Sequence, residues 1–304
     1  MQNRERNMRV TIAGVEWKNP ITTASGTFSP KKSAKFYDPS KLGALTLKGV
    51  ANLPWEGNKA PRIAEVYGGM LNAVGLQNPG VENFIKEKLP QLCALQTPII
   101  VNVAGKTAED YCQVVEALDA SCVDMLEINV SCPNVKEGGM SFGQDAKTLE
   151  KLAGELRRLT KKPLIFKLSP NVTDITEMAR AAESAGADAL SLINTLLGMR
   201  IDVRQKAPIL ANVMGGLSGP AIKPVAVRMV YQVRRAVQLP IIGLGGIMTG
   251  EDAAEFLLAG ADAVAVGTAA LIDPVAPVRI LEELETYMEE EGFSSVSELK
   301  EALK

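Results

Sequence analysis

The segment Glu127 to Asn134 reads EINVSCPN and sets a thiol among polar residues at the end of an apolar run. Met125, Leu126, Ile128 and Val130 carry a strand signal, and Pro133, which has no amide N–H to give a ladder, ends it. Cys132 therefore follows the carboxyl end of a strand, with Asn129, Ser131 and Asn134 close by in sequence. A thiol in that position suits proton transfer or nucleophilic attack. The competing reading is a buried cysteine acting as a small hydrophobe. Histidine is absent from all 304 residues, which removes the commonest general base and leaves Cys, Lys, Asp, Glu or Tyr for proton transfer. The four cysteines, Cys93, Cys112, Cys122 and Cys132, form no CxxC pair, so neither zinc nor iron–sulfur ligands are recognisable and no metal site is expected.

Other chemistry-bearing residues stand at comparable places. Apolar runs at Ile21–Ala24, Ala44–Leu47, Ile99–Val103, Met125–Val130, Leu164–Leu168, Ala189–Ile193, Ile241–Leu244 and Ala263–Val266 read as eight strands. Their ends carry Ser25, Lys48-Gly49, Asn102, Asn129, Lys167, Asn194-Thr195, Gly245-Gly246 and Gly267-Thr268. Two lysines, several amides and glycines with accessible N–H groups suit a planar polar ligand bearing a phosphate. The last two glycine turns fall where barrel enzymes bind phosphate, although plain turns need glycine too.

The elements that must position these residues follow from periodicity. Helical spacing recurs at Ala108–Leu118, Ala146–Thr160, Thr173–Ala185, Ile222–Ala236 and Gly250–Ala259, between strands that read as buried on both faces. Eight such units predict a (β/α)8 TIM barrel, with a doubly wound sheet as the alternative. VTIAGVEW, turning at Ala13-Gly14, predicts an N-terminal hairpin able to plug the barrel floor. Long inserts at Gly49–Pro90 and Thr195–Pro220 leave strand carboxyl ends and are expected to cap the active-site mouth. With no linker or low-complexity stretch, residues 1–304 read as a single domain, and the tail from Glu282 to Lys304 as a solvated helix.

Composition narrows the function classes. A formal charge of -2, with 46% hydrophobic residues and mixed charges along the chain, argues against nucleic-acid or polybasic membrane binding. There is no apolar run of membrane-spanning or signal-peptide length, so a soluble cytoplasmic protein is expected.

EINVSCPN, NAVGLQN at Asn72 to Asn78, LTLKGV at Leu45 to Val50 and IIGLGGI at Ile241 to Ile247 resemble the soluble class 1 dihydroorotate dehydrogenases. The likeness runs from about Val10 to Ala270, and the loop VKEGGMSFGQD resembles their NAD-linked subclass. The resemblance implies an FMN-binding barrel that oxidises (S)-dihydroorotate to orotate in pyrimidine biosynthesis. Cys132 would act as base at substrate C5 while hydride leaves C6, with Lys48 the second catalytic residue. By position, Ser25, Lys48, Gly49, Asn102, Asn129, Lys167, Ile193, Gly219, Gly245, Gly246, Gly267 and Thr268 would line the FMN. Lys48, Asn72, Ala73, Val74, Gly75, Leu76, Asn129, Asn194 and Thr195 would hold the substrate. Electrons would pass to NAD through a separate FAD and 2Fe–2S subunit, in a heterotetramer of two catalytic and two electron-transfer chains built on a homodimer. A similar cysteine loop in dihydropyrimidine dehydrogenases keeps uracil or thymine open as substrate. From another class, a non-redox barrel acting on a sugar phosphate also remains.

Overall fold

The computed structural model of the chain describes residues 6–131 and 141–304. The N-terminal strands β1 (Val10–Ile12) and β2 (Val15–Trp17) pair antiparallel. Their turn residues Ala13 and Gly14 have φ of 48° and 82°, the left-handed pair that a two-residue hairpin requires. Eight strands then form one parallel sheet. They are β3 (Ile21–Thr23), β4 (Leu45–Thr46), β7 (Ile99–Val103), β8 (Met125–Asn129), β9 (Leu164–Lys167), β10 (Ala189–Leu192), β15 (Ile241–Leu244) and β16 (Ala263–Val266), and they neighbour one another in the order β3-β16-β15-β10-β9-β8-β7-β4. The seam between β3 and β4 closes the ring without a regular ladder. Gly43 N–H donates to the Ile21 carbonyl at 2.9 Å, and the Thr23 hydroxyl both donates to Thr46 O at 3.0 Å and accepts from Thr46 N–H at 3.1 Å. The fold is a (β/α)8 TIM barrel.

Strand parity divides the core in two. Leu126, Ile128, Phe166, Leu190 and Val264 face outward and pack with the helices in the larger apolar cluster. Ala44, Ile100, Met125, Ile165, Ala189, Ile242 and Ala263 face inward and pack on Ile12 and Trp17, so the hairpin does plug the floor. Two residues further along several of these strands the inward positions turn polar: Thr46, Asn102, Glu127, Lys167 and Ser191 are all buried. This polar layer sits above an apolar one because the side-chain period of two carries the same face toward the strand's carboxyl end.

The helices start at strong caps, which fixes where each strand-to-helix loop ends. Thr107 caps Ala108–Asp119, Asp145 caps Ala146–Leu159, Asp174 caps Ile175–Ser184 and Thr249 caps Gly250–Leu258, each side chain accepting from a backbone N–H in the first turn. Between β10 and β15, a turn at Pro220–Ile222 leads into Lys223–Arg234, later than the expected start at Ile222, since Pro220 and Pro224 each lack an N–H donor.

One feature departs from the sequence reading and two extend it. The inserts cover the mouth as expected, and they do so as paired strands. β5 (Ile63–Val66) and β6 (Gly69–Asn72) from the first pair with β14 (Met214–Ser218) and β11 (Leu196–Met199) from the second, in one antiparallel sheet of order β11-β14-β6-β5 over the barrel mouth. β12 (Ile201–Asp202) and β13 (Ala207–Pro208) form a small outlying ribbon. The tail is not one solvated helix: Ala276–Glu290 buries Leu284 and Met288, the chain turns at Gly292, and Val296–Lys300 docks through buried Val296 and Leu299. Its apolar residues recur at helical spacing on one face, and burying them outweighs solvating the glutamates opposite. Finally, Cys93 and Cys122, which precede β7 and β8, are joined by a disulfide with Cα atoms 6.0 Å apart.

Candidate functional site

The carboxyl ends of the barrel strands and the overlying four-stranded sheet enclose a cavity of about 510 Å³. Lys167 brings the inward-facing polar layer to its floor. Lys167, at the end of β9, is buried and lies with Nζ 3.8 Å from Glu127 Oε2. Glu127 accepts from Asn102 Nδ2 at 2.6 Å and from the Ser191 hydroxyl at 2.8 Å. That arrangement uses the Asn102 nitrogen and leaves its Oδ1 buried with no partner among the described residues. Gly49 covers this oxygen closely, since a Cβ there would stand 2.8 Å from it. Lys167 does reach the cavity, and its ammonium suits the pyrimidine side of a flavin, where negative charge arrives on reduction.

Lys48 follows β4 and opens into the cavity, with no acidic partner among the described residues. Burial by the surrounding walls, and then the positive charge of Arg62, hold its ammonium below the ordinary lysine value. Arg62 itself is fixed by bonds to Asn58 O, Gln77 Oε1 and Glu56 O. The cavity therefore carries one lysine balanced by Glu127 and one that is not, which favours an anionic ligand.

On one wall, Asn194 Nδ2 donates to Asn129 Oδ1 at 3.1 Å and to the Ser131 hydroxyl at 2.9 Å. Tyr111 fixes the same strand end by donating its hydroxyl to Asn129 O at 2.6 Å. The Asn129 amide nitrogen has no protein partner among the described residues and is left for a ligand. Opposite stands the loop Asn72 to Leu76. Asn58 holds it through Ala73 O at 3.0 Å and Val74 O at 3.1 Å, and Gly75 is required there, with φ of 75° and a Cβ position 2.6 Å from Asn58 N. Asn78 is structural: it accepts from Ala51 N–H at 3.1 Å and Gly80 N–H at 2.9 Å, and donates to Leu76 O at 2.8 Å.

At the far end the glycine turns meet. Gly245 and Gly246 have φ of 129° and 89°, and a Cβ on Gly246 would lie 2.8 Å from Gly219 O. The Thr268 hydroxyl donates to Ser218 Oγ at 2.8 Å, tying the second glycine turn to the overlying sheet. Asp252 steadies the loop after β15, accepting from Met248 N–H at 2.8 Å, Thr249 N–H at 3.1 Å and Lys223 Nζ at 2.6 Å.

The family model for dihydroorotate dehydrogenase matches residues 7–288. The chain belongs to the dihydroorotate dehydrogenase family. It is 59% identical over 298 residues to the dihydroorotate dehydrogenase B (NAD(+)) catalytic subunit of Alkaliphilus metalliredigens, covering 98% of this chain and 99% of that protein. The protein of the same name from Lachnoclostridium phytofermentans is 58% identical over 96% of this chain and 98% of its own. That of Geotalea uraniireducens is 56% identical over 98% of both.

Among the residues assigned from sequence, Ser25, Lys48, Gly49, Asn129, Lys167, Ile193, Gly245, Gly246 and Thr268 line the cavity. So do Asn72, Ala73, Val74, Gly75, Leu76, Asn194 and Thr195. Three expected lining residues stand behind the wall instead. Asn102 is spent on Glu127, Gly219 backs Gly246, and a Cβ on Gly267 would meet Ala24 Cβ at 3.3 Å. Cys132 lies outside the described residues, while Ser131, its chain neighbour, lines the cavity. Sequence reasoning gave no role to Ile63, Met70 and Ser218, which reach the cavity only through the antiparallel sheet, or to Glu127. For Glu127 a signal existed: it shares strand parity with Asn129 and is the charged residue of an otherwise apolar run.

Proposed function

We propose that this chain oxidises (S)-dihydroorotate to orotate, and that residues 1–304 serve as one FMN-binding catalytic unit. The observation that carries the reading is the meeting, around one opening, of an unbalanced Lys48, the Asn129–Ser131–Asn194 network and the Asn72–Leu76 loop. Lys48 would bind the substrate carboxylate, and the amides of Asn72, Asn129 and Asn194 would pair with the ring's carbonyl and N–H edges. Cys132, which follows Ser131 in the chain, would take the proton from C5. FMN held there would supply the acceptor for the hydride that leaves C6, so that the substrate, having lost one proton and one hydride, becomes orotate. Lys167 would stand by the cofactor's pyrimidine side, where negative charge arrives. The glycine turns at Gly245-Gly246 and Gly267-Thr268, backed by Gly219, would cradle the phosphate.

The relatives are named as catalytic subunits, which supports a second protein as partner. We infer a subunit carrying FAD and a 2Fe–2S cluster, which the NAD-linked naming of the relatives supports. Electrons would reach NAD through that subunit, in a heterotetramer built on a homodimer. The exposed apolar face of Leu197, Met199 and Met214 on the overlying sheet supports a protein contact there. No helix of the described residues is long and apolar enough to cross a membrane, and cytoplasmic work fits that. The test is turnover of dihydroorotate against dihydrouracil with an artificial electron acceptor. Preference for dihydroorotate supports the reading, and equal or reversed preference replaces it with a dihydropyrimidine oxidoreductase.

A further inference from the structure

Glu127 sits in the middle of β8 inside the barrel, and a buried carboxylate is costly unless its oxygens are satisfied. Its partners come from the two strands that flank it and from the next strand round the ring. Asn102 on β7 and Lys167 on β9 both address Oε2, at 2.6 and 3.8 Å, while Ser191 on β10 donates to Oε1 at 2.8 Å. None of these contacts is needed to close the sheet, whose strands pair through their backbones. One detail points beyond simple burial. The ammonium of Lys167 stays outside normal hydrogen-bond length from the carboxylate, so its donors are not consumed while its charge is balanced.

We propose that Glu127 is a positioning residue of the cofactor site: by offsetting the charge of Lys167, which lines the cavity, it sets how much of that charge reaches the flavin. The inference rests on the flavin reading above. A ring that gains two electrons gains negative charge, and the positive field at its pyrimidine edge decides how strongly the reduced form is favoured. Glu127 offsets that field. Removing its charge while keeping its shape must therefore shift the bound cofactor toward the reduced form.

The experiment compares Glu127→Gln and Glu127→Asp with wild type, as purified flavin-loaded chains equilibrated against a redox dye without oxygen, alongside FMN fluorescence titration of the stripped proteins. E127Q keeps the reach and an acceptor oxygen for Asn102, so FMN affinity stays within about threefold. Its ratio of reduced to oxidised flavin rises on the order of tenfold at fixed dye poise, about 30 mV for a two-electron couple. E127D keeps the charge and loses one methylene of reach. Its potential stays near wild type, because the charge beside Lys167 is retained. An unchanged ratio in E127Q, or equal shifts in both variants, overturns the positioning role with the flavin reading intact. A wild-type chain that takes up no FMN overturns the flavin reading itself, and this inference with it.

Discussion

Replacing Lys48 by Met tests what the cavity selects. Two lysines line it, and Lys167 lies against Glu127, so Lys48 is the cation with no acidic partner among the described residues. A hydrogen bond to a charged group contributes about 1.5 to 3 kcal/mol, and each 1.4 kcal/mol is a factor of ten in affinity. Orotate should therefore bind K48M about 10- to 150-fold more weakly. Uracil, the same ring without the carboxylate, should change by less than about threefold, since it never used the charge. Titrating the flavin absorbance with each ligand reads both constants. The pH dependence supplies an internal check. The ammonium is held below the ordinary lysine value by burial and then by Arg62, and only its protonated form attracts the carboxylate. Orotate affinity of the wild type should thus begin to fall at a pH below the usual lysine range near 10.4, while K48M shows no such step. A loss of orotate affinity under threefold, or equal losses for orotate and uracil, would refute the assignment.

Gly246→Ala adds a Cβ 2.8 Å from both Gly219 O and Lys223 Cβ at a residue with φ of 89°, a conformation costing an L side chain roughly 1 to 2 kcal/mol. FMN should bind at least about tenfold more weakly, by fluorescence titration, and wild-type affinity would argue that the phosphate sits elsewhere. Cys132→Ala should retain its flavin but slow anaerobic reduction by dihydroorotate by about 10² to 10⁴, the usual cost of a lost general base. Equal rates would remove Cys132 from the reaction. Asp252→Ala removes the acceptor of three bonds and should cost about 1 to 3 kcal/mol in thermal or urea unfolding at neutral pH. Burial works to raise the Asp252 carboxyl, but its bonds to Lys223, Met248 and Thr249 prevail and hold it below the usual range. Its stabilisation is present above the unfolded carboxylate value near 3.9 and lost as pH falls through the lower folded value, so the two proteins should converge in acid. A gap that persists to about pH 2 would contradict that.

The barrel was legible because its strands are buried on both faces and read as unbroken apolar runs, separated by stretches of helical spacing. The floor plug was legible because Ala13-Gly14 between two alternating triplets is a hairpin signal. The sheet over the mouth was not. Its strands pair Leu71 with Leu217 across two distant inserts, and Gly69, Gly198, Gly215 and Gly216 blank out the alternation that marks a strand. Much of the cavity lining was readable from strand ends, since parity carries inward-facing residues to the rim. Asn102 shows where that rule stops. It has the right parity and the right end, but an acidic neighbour one strand over claims its donor, and cross-strand register is a tertiary fact.

A flavin in this cavity that dihydroorotate can reduce is the centre of the mechanism. Purified chain, recorded in the visible range and then mixed with dihydroorotate in the absence of oxygen, should be yellow and should lose its visible absorbance at a rate that rises with substrate. A colourless chain that takes up no added FMN, or a bound flavin that stays oxidised in excess dihydroorotate, would contradict it.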